Sequence, residues 1–167
     1  MKRRVFLKNS LAGMSGALFA SSRAIGADRS YDVVVYGATA SGVAAAVAAA
    51  RQGARVALLE PGRHLGGMVS GGLGHTDTGK IETIGGISLD FFKRVGRAYN
   101  QAVAWDFEPH VAEDVFKTMA REAGVKMAYD ARLREHGAVQ RKNGRITSIA
   151  MGNGDAFSGQ IFIDASY

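Results

Sequence analysis

A chain of 167 residues, 47% apolar and 22% charged, has the length and composition of one globular domain with a real core. Its formal charge of +6 is concentrated at one end: residues 1–27 hold Lys2, Arg3, Arg4, Lys8 and Arg23 and no acid, and without these five the remainder carries 16 basic against 15 acidic residues, which argues against a polyanion-binding role. The absence of cysteine excludes disulfides, thiolate metal sites and a redox-active dithiol within this stretch, and the scattered His64, His75, His110 and His136 form no metal-ligand spacing.

Residues 1–27 have the anatomy of an export signal, with a basic start, a modest apolar stretch from Leu11 to Ala20 and small residues up to Ala27. The apolar stretch is interrupted by Gly13, Ser15 and Gly16 and falls short of the ~20 residues that a membrane span needs. Arg3-Arg4-Val5-Phe6-Leu7-Lys8 resembles the twin-arginine signal of bacteria. That resemblance implies the twin-arginine export machinery as a partner and a periplasmic or secreted location, with cleavage after Ala24 or Ala27. The folded domain is then expected over residues 28–167.

The next stretch reads as strand, glycine turn, helix, strand and acid. Val33 to Tyr36 form an unbroken apolar run, as in a parallel strand buried on both faces. The alanine-rich Ser41 to Gln52 predict a helix whose small side chains allow close approach to a sheet, and Gly53 ends it. Arg55 to Leu59 supply a second strand, which completes a βαβ unit with an expected right-handed crossover. The turn Gly37, Ala38, Thr39, Ala40, Ser41, Gly42 fits G-x-G-x-x-G at its first and last glycines, with Thr39 at the middle one. Amides at the start of such a helix can receive a diphosphate. Thr39 is expected to restrict backbone approach, with its hydroxyl available to donate to a phosphate oxygen. Glu60 ends the second strand 23 residues after Gly37, near the ~20 expected for an acid that binds an unphosphorylated adenosine ribose.

Pro61 to Gly86 are too rich in glycine for a helix or sheet interior and predict a long functional loop or a disordered segment, loops of this length in a compact domain usually being binding loops. A dinucleotide anchored at Gly37 and Glu60 would bring its diphosphate near Gly66 and Gly67. Ser88 is positioned to cap a helix from Leu89 to Tyr99 with Leu89, Phe92, Val95 and Tyr99 on one face. Pro109 opens a second helix, with a stripe of Val111, Val115, Met119 and Ala120, ended by Gly124. His110 reads as a half-exposed structural histidine, and Trp105 and Phe107 as hydrophobic contacts. Val125 to Tyr129 then read as a strand. Asn143-Gly144 marks a tight hairpin between Leu133–Val139 and Arg145–Met151, and Gly152-Asn153-Gly154 turns into a third antiparallel strand containing Phe157. Ile161 to Ile163 predict a separate buried parallel strand ending at Asp164. The order is that of an α/β, FAD-type Rossmann domain with a parallel sheet, helices and a small antiparallel β-meander.

Taken together, GATASGVAAAVAAARQG, LLEPGRHLGGMVSGGLGHTDTG, FEPHVAEDVFKTMAREAGV and the closing IFIDASY resemble the FAD-dependent oxidoreductase family of bacterial, often secreted, flavoproteins. These four blocks follow in order across most of residues 32–167. The resemblance implies that Gly37, Thr39, Gly42, Gly66 and Gly67 hold the FAD diphosphate, with Ala38, Ala40 and Ser41 completing the first turn, and that Glu60 holds the ribose. It places Met68, Ser70 and the run Gly71-Gly72-Leu73-Gly74 toward the flavin ring. The family often reads G-G-T-P-A-G at the first turn, so Thr39 is no departure from it. The implied activity is FAD-dependent oxidation of a small organic substrate, carried by a protein of which residues 28–167 are the N-terminal FAD-binding part and a substrate domain is missing. No residue is assigned as a catalytic base; His75 and Asp77, in the glycine loop, are candidates. An NAD-binding dehydrogenase and a nucleotide-binding module without turnover are the alternatives, and the second glycine pair and the late meander favour FAD over NAD.

Overall fold

The computed structural model describes residues 30–167, so the proposed export signal lies outside the described residues. In chain order the elements are β1 (Ser30–Tyr36), α1 (Ala40–Arg51), β2 (Val56–Leu59), α2 (Gly86–Ala98), α3 (Pro109–Glu122), β3 (Lys126–Ala128), β4 (Val139–Lys142), β5 (Arg145–Ala150) and β6 (Ala156–Asp164). They build one six-stranded sheet in the order β3-β2-β1-β6-β5-β4. The first four strands of that order run parallel, and β5 and β4 add antiparallel at one edge.

The apolar runs become strands buried on both faces. Val33 and Val35 of β1 and Val56 and Leu58 of β2 join a core shared with α1, α2 and α3. Val34, Ala57 and Leu59 face the opposite side, against Ala131, Ile149, Met151 and Phe157. Alternate residues of one strand therefore serve two cores, which is why Val33–Val35 and Val56–Leu59 carry no polar residue. The helices are joined by a stacked pair, Phe91 on Phe116, with ring centroids 4.4 Å apart. At the surface a chain of ion pairs runs from Arg51 to Asp90 (2.8 Å), to Arg94 (2.8 Å) and to Glu122 (2.7 Å), linking all three helices. Such pairs stabilise little beside the buried aromatic contacts. Among the described residues no helix is long and apolar enough to cross a membrane.

Four details differ from the sequence expectation. Helix α2 starts at Gly86 with Gly85 in the cap position and no side-chain cap bond, so Ser88 sits in the first turn instead of capping it. Val95 of α2 and Met119 and Ala120 of α3 are buried as expected, but Phe91 takes the inner place expected of Phe92, and Ala112 and Phe116 those expected of Val111 and Val115, which pack only partly buried against the core. The stacked contact of Phe91 on Phe116 is what turns Phe91 inward. The first meander strand is Val139–Lys142, whereas Leu133 forms only an isolated bridge with Met151. Finally, the third meander strand and the return strand are one: β6 pairs with β5 at its start and with β1 along the rest, with Ser158 opposite both Ser148 and Ser30. Ser158 and Gly159 stand between Phe157 and Ile161 but stay in the ladder, opposite Ser30 and Tyr31 of β1, so the strand continues through them. Ile161 is 56% exposed instead of buried.

The hairpin expectation holds: Asn143 (φ 51°) and Gly144 (φ 77°) both take the left-handed conformation that a two-residue turn between twisted strands requires. A long-range contact fixes the segment before it, because the Leu133 N–H donates to the Tyr36 hydroxyl at 3.0 Å. Tyr36→Phe leaves that half-buried amide without an acceptor and is expected to cost about 1 kcal/mol in a urea titration. An unchanged midpoint would show that water replaces the phenol there.

Candidate cofactor site

The carboxyl ends of β1, β2 and β6 come together at one edge, where open parallel sheets bind ligands. Gly37 follows β1 with φ +93°, and its N–H donates to Leu59 O at 2.8 Å. A Cβ on Gly37 would lie 2.7 Å from Ser166 N, because the chain leaving β6 crosses directly over it. A Cβ on Gly42 would overlap the Gly37 carbonyl oxygen and lie 3.1 Å from Ala165 Cβ. Both fingerprint glycines are thus required by close backbone approach.

Thr39 is the N-cap of α1, and its hydroxyl accepts the Gly42 N–H at 3.2 Å. The N–H groups of Ala40 and Ser41 have no partner among the described residues, and the first turn of α1 carries no acid. Two open amides at a helix start, with the dipole behind them, are an anion-binding arrangement.

Glu60 reaches back to the same turn. Its Oε2 accepts the Ala38 N–H at 2.9 Å and its Oε1 accepts the Gly62 N–H at 2.7 Å. Each carboxylate oxygen keeps acceptor capacity for a ribose hydroxyl. The second glycine pair is at hand as the sequence reading requires: Gly66 N–H donates to Ala38 O at 2.7 Å, forming a parallel bridge between Thr39 and Gly66. Gly66 (φ +103°) rests on the Phe116 ring, 2.6 Å from where its Cβ would be, and Gly67 (φ +56°) lies beneath the Tyr167 phenol. The Met68 N–H donates to the Tyr167 hydroxyl at 2.9 Å. Met68, Leu73 and Tyr167 are exposed beside this pair.

Gly37, Ala38, Thr39, Ala40, Ser41, Gly42, Glu60, Gly66, Gly67 and Met68 are therefore brought to one edge. The expected role of the Thr39 hydroxyl needs correction. It is buried and donates to Ala165 O at 2.8 Å, which uses its single proton and leaves none for a phosphate. The side chain points into the protein, so it does not obstruct the open side of the turn.

A second tier was missed in the sequence. Glu113 of α3 accepts from Leu65 N–H (3.4 Å) and pairs with His64 Nδ1 (3.2 Å) and Lys117 Nζ (2.9 Å), which ties the loop before Gly66 to α3. Burial pushes the Glu113 carboxyl up, but the Lys117 and His64 hydrogen bonds outweigh it and hold it below the usual range. Only the i,i+4 spacing of Glu113 and Lys117 was legible beforehand. His75 pairs through Nδ1 with Asp106, not with Asp77, across a short antiparallel bridge. The Asp106 hydrogen bond raises its pKa, and Asp77 adds only a through-space contribution. His110 lies away from the glycine turns, in a cavity of about 400 Å³ between α2 and α3.

The sequence profile described as FAD dependent oxidoreductase matches residues 32–167. A vinyl phenol reductase of Lactiplantibacillus plantarum is 63% identical over 38 residues, which cover 23% of this chain and 8% of that protein. Among solved structures, the L-proline dehydrogenase of P. horikoshii superposes with a TM-score of 0.59 at 14% identity, over 84% of this chain and 54% of that one. The 3-ketosteroid-Δ4-(5α)-dehydrogenase of Rhodococcus jostii RHA1 does so with a TM-score of 0.54 at 18% identity, over 86% of this chain and 47% of that one. At such identities the structures speak for the fold alone. Each of these relatives is much longer than the region the chain matches. The matched profile spans every element of the sheet and both glycine turns, and on that ground the chain belongs to the FAD dependent oxidoreductase family, with FAD as its cofactor.

Proposed function

We propose that residues 28–167 are the FAD-binding part of an oxidoreductase whose flavin takes electrons from a small organic substrate. The observation that carries this reading is the pair of unpartnered amides on Ala40 and Ser41, set between Glu60 and the Gly66-Gly67 pair. In this arrangement the amides at the start of α1 and the Gly67 backbone receive the diphosphate, and Glu60 accepts from the adenosine ribose. Gly37 and Gly42 keep α1 close enough to do so, and Met68 lies toward the flavin. Bound FAD supplies the two-electron redox chemistry, while these residues bind and orient it. Exposed Met68, Leu73 and Tyr167 mark the side on which a substrate-binding part of the protein would cover the flavin and exclude water. Purification tests the reading: a yellow protein that releases FAD on denaturation is expected. A colourless protein protected from unfolding by NAD would favour the dehydrogenase alternative. A colourless protein that NAD does not protect would favour a nucleotide-binding module without turnover.

We also propose that residues 1–27 direct the protein to the periplasm or beyond through twin-arginine export, supported by Arg3-Arg4 and the weak apolar stretch after them. Arg3→Lys combined with Arg4→Lys is expected to leave unprocessed precursor in the cytoplasm. Fractionation that finds the double variant processed and exported would overturn this.

A further inference from the structure

The one buried polar side chain among the described residues, Thr39 at 7% exposure, stands where the general dinucleotide fingerprint has a glycine. Its hydroxyl is fully used. The proton goes to Ala165 O (2.8 Å), one acceptor site takes the Gly42 N–H (3.2 Å), and the contact with Ser41 Oγ (2.9 Å) must then have serine as donor. Ala165 is pinned from its other side as well, because its N–H donates to Tyr36 O at 2.8 Å. The backbone beyond it lies across Gly37, and Tyr167 then reaches Gly67 and Met68. A single short segment, residues 165–167, thus touches both glycine turns, and the Thr39 hydroxyl is the side-chain bond that fastens it to the first.

From this geometry we infer that Thr39 is a positioning residue for FAD, acting through Ala165: its hydroxyl holds the segment leaving β6 against the first glycine turn, and so sets the spacing between the two turns that the cofactor bridges. The inference rests on the FAD-binding reading above. A glycine at this position would free the backbone but release Ala165. The structure therefore assigns to threonine a task that the general fingerprint leaves to no side chain.

The test compares Thr39→Ser, Thr39→Gly and Thr39→Val with the wild-type protein, measuring FAD affinity by quenching of the single tryptophan, Trp105, and of flavin emission. The thermal midpoint of the apoprotein and hydrogen exchange of the 164–167 segment are followed in parallel. Glycine is nearly as good an N-cap as threonine, so a role confined to capping predicts little change in Thr39→Gly. The inference predicts that Thr39→Ser binds FAD like wild type. Thr39→Gly and Thr39→Val should bind on the order of ten-fold more weakly, with faster exchange at Ala165, while the Thr39→Gly midpoint falls no further than the loss of the Ala165 bond explains. Should Thr39→Val fail to fold, the serine and glycine variants decide alone. Equal FAD affinity for Ser and Gly variants and wild type would overturn the inference and leave FAD binding standing. A wild-type protein that takes up no FAD would overturn both.

Discussion

Gly42→Val is expected to abolish FAD retention and to destabilise the fold by roughly 3 kcal/mol or more. A side chain at this position would overlap the Gly37 carbonyl oxygen and press on Ala165 Cβ at 3.1 Å, and two of its nearest neighbours are backbone atoms of the turn. Backbone held by the β1–β2 ladder has no rotamer with which to yield, since Gly37 N–H is bonded to Leu59 O. Helix α1 would have to lift away from the turn or unwind its first residues. Either movement displaces the Ala40 and Ser41 amides and empties the contact between α1 and the strands, where Val43, Ala46 and Val47 are fully buried. Denaturant titration and flavin content measure the two consequences separately. A variant with wild-type midpoint and bound flavin would mean that the helix start is not packed as described.

Glu60→Ala is expected to weaken FAD by at least about ten-fold, since hydrogen bonds to a charged group contribute roughly 1.5–3 kcal/mol each. The carboxylate has two tasks at once. It accepts the Ala38 and Gly62 amides at 2.9 and 2.7 Å, holding the first glycine turn to the loop after β2, and in the proposed site its remaining acceptor sites take the ribose hydroxyls. Glu60→Gln is therefore not a conservative replacement: one of its two terminal atoms becomes a donor and meets an amide N–H head on. Both variants should lower FAD affinity, with the apoprotein also losing stability because an amide is left without its acceptor. If titration of a folded Glu60→Ala protein gave wild-type affinity and wild-type stability, neither the strap nor the ribose role would survive. If stability fell while affinity held, only the strap would remain.

Some of this was legible before any coordinates. The βαβ unit announces itself through local chemistry: apolar runs without a polar residue, glycines where chain direction reverses, alanines where a helix must lie close, and an acid at the proper distance. The Asn143-Gly144 hairpin was legible for the same reason, since few dipeptides tolerate two successive left-handed conformations. Helix existence is legible as well, and helix rotation only in part, since Val95, Met119 and Ala120 face inward as expected while Phe91 and Phe116 were not expected there. In α2 and α3 several apolar residues compete for the inner face, and the choice of Phe91 and Phe116 depends on each ring finding the other.

Residue spacing alone places the first glycine turn, the acid and the second glycine pair along the chain, because those features depend on backbone conformation over a few tens of positions. Which partner each polar side chain takes depends instead on the assembled fold. Thr39 donates to a carbonyl 126 positions away, His75 pairs with a carboxylate 31 positions away instead of its neighbour Asp77, and Glu60 turns back 22 positions to Ala38. A hydroxyl or carboxylate can bond to any amide or carbonyl within reach. Its partner is therefore whichever group the assembled sheet and helices leave unpaired beside it, a matter settled only when strands distant in sequence lie side by side.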